Sequence, residues 1–272
     1  MKRRLWCLAL IALIGLAGAI AAGASEDSVV LATTTTTQDT GLIDVLLPAF
    51  QRATGITVKM VAVGTREALA TGRRGDADVV LAHCRKAEDR FMAEGFGLVR
   101  YDVMHNDFVL IGPANDPADA EGLDPDVAFE RIAARMSRFI SRGDGSGTHE
   151  KEQEIWQKTG VSPRGDWYLS TGQGQGESAR IASEKQAYML IDRGTYLALK
   201  STLSLRLITD GGAELRNPYG VIVVNPAKNP RVHVKPAKVF AEWLISPAAQ
   251  KLIGEFGRAR FGRSLFVPDA VR

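Results

Sequence analysis

From residue 29 onward, short β-branched runs alternate with segments whose apolar residues recur at helical spacing, which implies a parallel sheet covered by helices on both faces. Val29-Val30-Leu31 reads as a strand. Leu42, Val45, Leu46, Ala49 and Phe50 then share one helical face that stops at Gly55, a natural residue just past a helix end. Ile56 to Val63 is strand-like again and a helix follows from about Arg66. Asp78 to Ala82 forms a third strand, and a helix from about Arg85 to Glu94 is closed by Gly95.

Two segments break the rhythm. Asp107 to Pro113 and Pro218 to Pro226 are extended, apolar and closed by proline, and they read as two crossings between lobes. Residues 113–217 carry a βα alternation of their own: Phe139-Ile140, a helix from about Thr148, Trp167 to Leu169, a helix from about Glu177, and Leu205 to Ile208. After the return, Ala237, Phe240, Trp243 and Leu244, then Ala249, Leu252, Ile253 and Phe256, form two amphipathic helices, the second capped by Ser246-Pro247. The expected fold is therefore α/β and two-lobed, with 25–112 and 218–272 in lobe I and 113–217 in lobe II. Each lobe is a mostly parallel sheet flanked by helices, and two crossing strands join them. The 45% hydrophobic and 24% charged composition of the 272 residues is ordinary for a globular chain and excludes a disordered, collagen-like or disulfide-stapled one.

The first 24 residues read as a secretory signal peptide: Lys2-Arg3-Arg4, an unbroken apolar run from Leu5 to Ile14, and Ala22-Gly23-Ala24 before Ser25. The competing reading is an uncleaved anchor, since Leu5 to Ala24 reaches about the 20 residues that span a bilayer. The small residues before Ser25 favour cleavage, and with it a periplasmic protein that has no membrane insertion. Lys2, Arg3 and Arg4 account for the whole formal excess of +3, so the mature chain is formally neutral and offers no basis for nucleic-acid binding. Cys7 lies too near the start for a lipid attachment. Cys84 is then left without an intramolecular partner, and burial after Val79 to Ala82 is its simplest role.

Four loops carry the candidate chemistry. Thr33-Thr34-Thr35-Thr36-Thr37 lies between the first strand and the first helix, where hydroxyls and free backbone N–H groups make a site for an anion. Alternatively, such a run extends a strand or caps a helix. Gly64-Thr65 holds the same place after the second strand, followed by Arg66, which adds positive field at the mouth. Arg142-Gly-Asp-Gly-Ser-Gly-Thr148-His149 combines three glycines, two hydroxyls and a planar fork of donors before a helix. Its bland alternative is a surface turn with an Arg142–Asp144 ion pair. Thr171-Gly-Gln-Gly-Gln-Gly176 also opens a helix, without the spacing of a dinucleotide or Walker loop.

No catalytic constellation is visible. His149-Glu150 lacks a second His four residues on, Gly145-Ser146-Gly147 has Asp144 where a nucleophile elbow needs glycine, and His83, His105 and His233 have no ligand spacing. Asp192-Arg193 reads as a helix-start ion pair. Hydroxyl loops on one lobe and the Arg142 loop on the other can instead close on a small tetrahedral oxyanion. Each charge-assisted hydrogen bond contributes about 1.5–3 kcal/mol net. Several converging donors therefore reach the roughly −8 kcal/mol of micromolar binding, and binding favours the closed state.

At this point the chain resembles the type II periplasmic substrate-binding proteins of ABC transporters, most nearly the tungstate-binding branch. The carrying stretches begin with Leu31-Ala-Thr-Thr-Thr-Thr-Thr-Gln-Asp-Thr-Gly-Leu42, Val61-Ala-Val-Gly-Thr65, Gly75-Asp-Ala-Asp-Val-Val80 and Asn106-Asp-Phe-Val109. They continue with Phe139 to His149, Trp167-Tyr-Leu-Ser-Thr-Gly-Gln-Gly174, Ile181-Ala-Ser-Glu-Lys185, Asp192-Arg-Gly-Thr-Tyr196 and Asn217-Pro-Tyr-Gly-Val221. The resemblance implies a tungstate oxyanion held through its oxygens by Thr33, Thr34, Thr35, Thr36, Thr65, Arg142, Ser146, Gly147 and Thr148, with Gln173 and Gly174 added from the fourth loop. Thr36 stands where the family usually has serine, which keeps the hydroxyl. The resemblance also implies a monomer that needs no cofactor or cationic metal, catalyses nothing, and delivers its anion to a permease and its ATPase.

Other readings remain in view. Molybdate matches tungstate in size and charge; sulfate and phosphate are the other tetrahedral candidates. Hydrogen phosphate wants an acceptor in the cleft, so an unpaired Asp39 or Asp144 favours it, and an Asp144 spent on Arg142 does not. A secreted serine hydrolase built on Ser146 and His149 lacks a third group to orient the imidazole. A sensor that docks on a membrane kinase when liganded is a further alternative.

Overall fold

The computed structural model describes residues 28–270; the segment read as a signal peptide lies outside the described residues. In chain order the first elements are β1 (Ser28–Thr34), α1 (Thr35–Asp39), α2 (Leu42–Thr54), β2 (Thr57–Val63), α3 (Thr65–Arg74), β3 (Val79–Ala82), α4 (Arg85–Ala93) and β4 (Gly97–Pro113). The middle of the chain forms α5 (Pro125–Ala134), β5 (Phe139–Ser141), α6 (Gly147–Thr159), β6 (Tyr168–Ser170), α7 (Gln175–Lys185), β7 (Met189–Asp192), α8 (Arg193–Leu199) and β8 (Leu205–Asp210). The return adds β9 (Arg216–Val224), α9 (Val234–Leu244), α10 (Pro247–Glu255), α11 (Arg258–Phe261) and β10 (Val267–Pro268).

In the first lobe the strand order is β2-β1-β3-β9-β4-β10. The β2-β1-β3 part is parallel, as the alternation requires, and β9 and β4 continue it antiparallel. Side chains alternate between the two faces of these strands. Leu31, Val79, Leu81, Val221 and Val223 enter one core with Phe50 and Phe240, while Ala32, Val80, Ala82, Ile222 and Val224 enter the other with Leu69 and Phe91. A sheet apolar on both faces needs helices on both, which is why α2 and α9 cover one side and α3 and α4 the other. Ser246 caps α10 through its side chain, with Pro247 as the first helical residue.

β4 is a single 17-residue strand that serves both lobes. Gly97 to Asp107 pair with β9, and Phe108 to Pro113 pair with β7 and β8. The stretch 107–113, read from sequence as a crossing, is thus the second-lobe half of this strand. The passage lies where Asn106 and Asp107 face Asn217 and Arg216. β9, expected as the other crossing, pairs along the first-lobe sheet with β3 and β4. In the second lobe β5 and β6 are parallel, and Phe139 bridges to Tyr188 beside β7. The strand alternation persists: Phe108 and Leu110 join Phe129 and Trp156 on one face, Val109 and Ile111 join Met189 and Ile191 on the other. Among the described residues no helix is long and apolar enough to cross a membrane.

Candidate functional site

The threonine run is divided by the end of β1. Thr33 donates its hydroxyl to the Leu81 carbonyl at 3.0 Å, so it belongs to the sheet. Thr34 is the N-cap of α1 and its Oγ1 accepts from the Thr37 amide at 3.1 Å. Thr35 to Thr37 form the first turn of α1, whose leading N–H groups have no helical acceptor. Among the described residues nothing engages the hydroxyls of Thr35, Thr36 or Thr65. Thr36 and Thr65 are nonetheless buried, Thr65 as the first residue of α3.

On the second lobe, Arg142 follows β5 and is only 5% exposed. Its Nη2 donates to Asp144 at 2.5 Å, and its Nη1 donates to Gln175 Oε1 at 3.0 Å and lies 3.5 Å from Thr148 Oγ1. Thr148 also donates to Gln175 Oε1, at 2.5 Å, and Gln175 Nε2 donates to Thr195 at 3.2 Å. The Nε of Arg142 is buried with no acceptor among the described residues. Burial works against the charge of Arg142; Asp144, Asp39 and Asp192 support it. Burial would raise the pKa of Asp144, but Ser146 and Arg142 outweigh it and hold it below the usual value. Ser146 caps α6, accepting from the His149 amide at 3.4 Å.

The two sets of loops face each other. A Cβ placed on Gly147, at the start of α6, would lie 2.9 Å from the His83 ring and 3.2 Å from the His83 carbonyl, so only glycine lets α6 approach the loop after β3. Arg142 is also felt across the cleft: burial raises the pKa of Asp39, and Arg142 opposes the rise.

A buried chain of hydrogen bonds links the lobes behind these loops. His83 Nε2 lies 3.1 Å from Thr34 Oγ1, and His83 Nδ1 lies 3.1 Å from Asn217 Oδ1. Asn217 donates to Asn106 Oδ1 at 2.7 Å, and Asn106 donates to Asp192, the N-cap of α8. Burial pushes the His83 pKa down to about 4, opposed by Asn217 and reinforced by Arg142, so the ring is neutral near pH 7. Burial pushes Asp192 up to about 6, against the hydrogen bonds it accepts from the Thr195 amide and from Asn106. An ionised Asp192 only accepts, which fixes both amides and puts the His83 proton on Nδ1. Nε2 is then an acceptor, so Thr34 donates to it and receives the proton of Thr37, 2.7 Å away.

The structure therefore gathers Arg142, Ser146, Gly147 and Thr148 at the start of α6 and sets Thr35, Thr36 and Thr65 at the starts of α1 and α3 of the first lobe, and it turns the hydroxyl protons of Thr33 and Thr34 inward. Gln173 and Gly174 are exposed and make no side-chain contact with Arg142; Gln175, one residue on, takes that place. The Arg142–Asp144 pair does form, within the cluster rather than instead of it. Asp192 and Arg193 do not make the expected ion pair, since Arg193 pairs with Asp210 at 2.9 Å and Asp107 at 3.4 Å. His83, Asn106 and Asn217 went unnoticed as a set; lone polar residues at facing positions of two apolar strands were the available signal. Cys84 is buried, and burial raises its pKa. Among the described residues no three His, Cys, Asp or Glu side chains converge on a cation site.

Two lobes threaded by one long strand, with anion donors on facing loops, define a substrate-binding protein of the two-lobed type. A family model described as the PBP superfamily domain matches residues 19–248, and the chain belongs to that superfamily. It is 49% identical over 251 residues to the tungstate-binding protein TupA of Peptoclostridium acidaminophilum, covering 91% of this chain and 88% of the relative. The structure of a tungstate-binding protein TupA from Desulfovibrio alaskensis G20 superposes with a TM-score of 0.80 at 41% identity, over 90% of this chain and 99% of that one. A structure described as the tungstate ABC transporter from Geobacter sulfurreducens gives 0.78 at 45% identity, over 85% and 99%.

Proposed function

We propose that this protein captures a tetrahedral oxyanion outside the cytoplasm, tungstate in the first place, and hands it unchanged to a permease driven by a separate ATPase. The observation that carries the reading is Arg142: a buried guanidinium whose charge is felt by Asp39 of the facing lobe, braced by Asp144 and Gln175, with its Nε unmet. Thr148, Ser146 and the amide end of α6 extend the donor set on its side, and Thr35, Thr36, Thr65 and the first turn of α1 complete it opposite. The tungstate-binding names of the relatives support the same ligand.

Asp144 is spent on Arg142 and Ser146, so the carboxylate beside Arg142 is not free to accept from a protonated anion. This favours a bare dianion over hydrogen phosphate. Calorimetry on residues 25–272 with tungstate, molybdate, sulfate and phosphate tests the reading. Tungstate and molybdate are expected to bind at micromolar dissociation constants or tighter, with sulfate and phosphate at least a hundredfold weaker. Phosphate binding tightest, or no oxyanion binding at all, rejects the reading. The ester hydrolase has no support: His149 Nδ1 accepts from the Gly145 amide at 3.0 Å, and the Ser146 oxygen caps α6.

A further inference from the structure

Beside the cleft, α3 and α4 of the first lobe and the start of α6 enclose a hollow of about 370 Å³. Arg66 and Arg73, two turns apart on α3, and Lys86 and Arg90, one turn apart on α4, line it, against Glu150 as its acid. Arg73 is engaged by Glu94 and by the rings of Phe91 and Phe96. Arg66, Lys86 and Arg90 have no carboxylate partner among the described residues. Like charges at this spacing repel on a helix, so folding alone gives no reason to collect them here. The hollow also borders Thr65 and Gly145, which belong to the two facing loops of the oxyanion cleft.

Arg66 bridges the lobes at that border. Gly145 has a φ of +67°, and a Cβ there would lie 2.6 Å from Arg66 Nη2. The guanidinium of one lobe thus rests against bare backbone of the other, directly beside Thr65. A concave patch of one sign focuses the field and raises the local concentration of counter-ions, speeding association by ten- to a thousandfold at low salt. Its reach is the Debye length, about 8 Å at physiological ionic strength.

We propose that this hollow is an outer collecting site for small inorganic dianions, where Arg66, Lys86 and Arg90 draw the anion toward the cleft and Arg66, seated on the Gly145 turn, gates its passage. The proposal rests on the oxyanion reading of the inner cleft. A cation met last on entry draws the anion in, and if the same group must swing aside on exit it slows release. Arg66 would therefore affect both rates, and Lys86 and Arg90 mainly entry.

Stopped-flow tryptophan fluorescence with sodium tungstate at 20 and 300 mM NaCl tests this on the wild type, Arg66→Gln, the pair Lys86→Gln/Arg90→Gln, the triple variant, and Lys251→Gln on α10 as a distant charge control. The triple variant is expected to associate about tenfold more slowly at 20 mM NaCl and to lose most of the salt dependence of the wild type, and Arg66→Gln alone to dissociate several-fold faster. Lys251→Gln should leave both rates as they are. Unchanged association in the triple variant, an unchanged dissociation rate in Arg66→Gln, or an equal effect from Lys251→Gln overturns the proposal while tungstate binding stands. A wild type that binds no oxyanion in calorimetry overturns the inner-cleft reading and the proposal together.

Discussion

Burying a guanidinium as deeply as Arg142 costs stability unless its donors are met, so its partners say what the position is for. Asp144 and Gln175 occupy the two terminal nitrogens, leaving the fork oriented and the Nε side unmet. Arg142→Ala is expected to lower tungstate affinity at least a hundredfold, about 3 kcal/mol. Arg142→Lys keeps a charge but not the fork, and should still lose about tenfold. His149→Ala, which removes only a support of the Gly145 turn, should change affinity less than either; calorimetry on the three variants checks the order. A second residue-scale consequence lies in lobe II. Glu152 accepts from Tyr168 at 2.6 Å and Trp156 at 3.2 Å, and burial pushes its pKa from 4.5 up to about 7. A carboxyl raised on folding contributes stability that is full below pH 4.5 and is lost as pH rises through about 7. Glu152→Gln should therefore show a melting temperature less dependent on pH between 5 and 8 than the wild type, the two curves lying close at the acid end and diverging most at the alkaline end.

At the scale of elements, the loops that carry the site are set by where strands end and helices begin. Glycine, threonine and serine mark those ends in the sequence, so the Thr35–Thr36, Thr65 and Arg142–Thr148 segments were legible before any coordinates. Hydroxyl direction was not. Thr33 and Thr34 look the same as Thr35 and Thr36 in sequence, and only the pairing of β1 with β3 and the position of His83 turn the first two inward. The contact of the fourth loop with Arg142 was hidden for a similar reason. Gln173 and Gln175 share a glycine-rich stretch, and it is the start of α7 after Gly174 that turns Gln175 toward Arg142. α5 and β7 were also missed, β7 being a four-residue buried run with no alternation to betray it. The Asn106–Asn217 pair depends on the register of β4 against β9, a long-range property. Replacing Asn217 by Ala leaves His83 Nδ1 and Asn106 Oδ1 buried without partners. It should cost about 1–3 kcal/mol in urea unfolding and weaken tungstate binding through a misplaced Thr34.

For the whole molecule, the walls are useful only when shut, because neither lobe alone supplies enough donors to replace the hydration shell of a dianion. β4 and β9 make the connection, and the passage between lobes sits at Asn106 and Asn217, next to the buried chain that ends on Asp192. The lobes meet backbone to side chain at Gly147 against His83 and at Gly145 against Arg66, and Gly194 lies near Thr40 and Leu265. Gly147 is the first residue of α6, where alanine is accepted by the helix itself. Gly147→Ala therefore acts on closure rather than on folding: its methyl group meets the His83 ring and carbonyl only when the lobes come together. Its melting temperature without added anion should stay close to that of the wild type, while tungstate affinity falls at least tenfold. Small-angle scattering should then show less compaction on adding tungstate than in the wild type. A Gly147→Ala protein that compacts and binds as the wild type does would mean that the two walls meet elsewhere, and that the contact between α6 and the loop after β3 is not what sets the closed state.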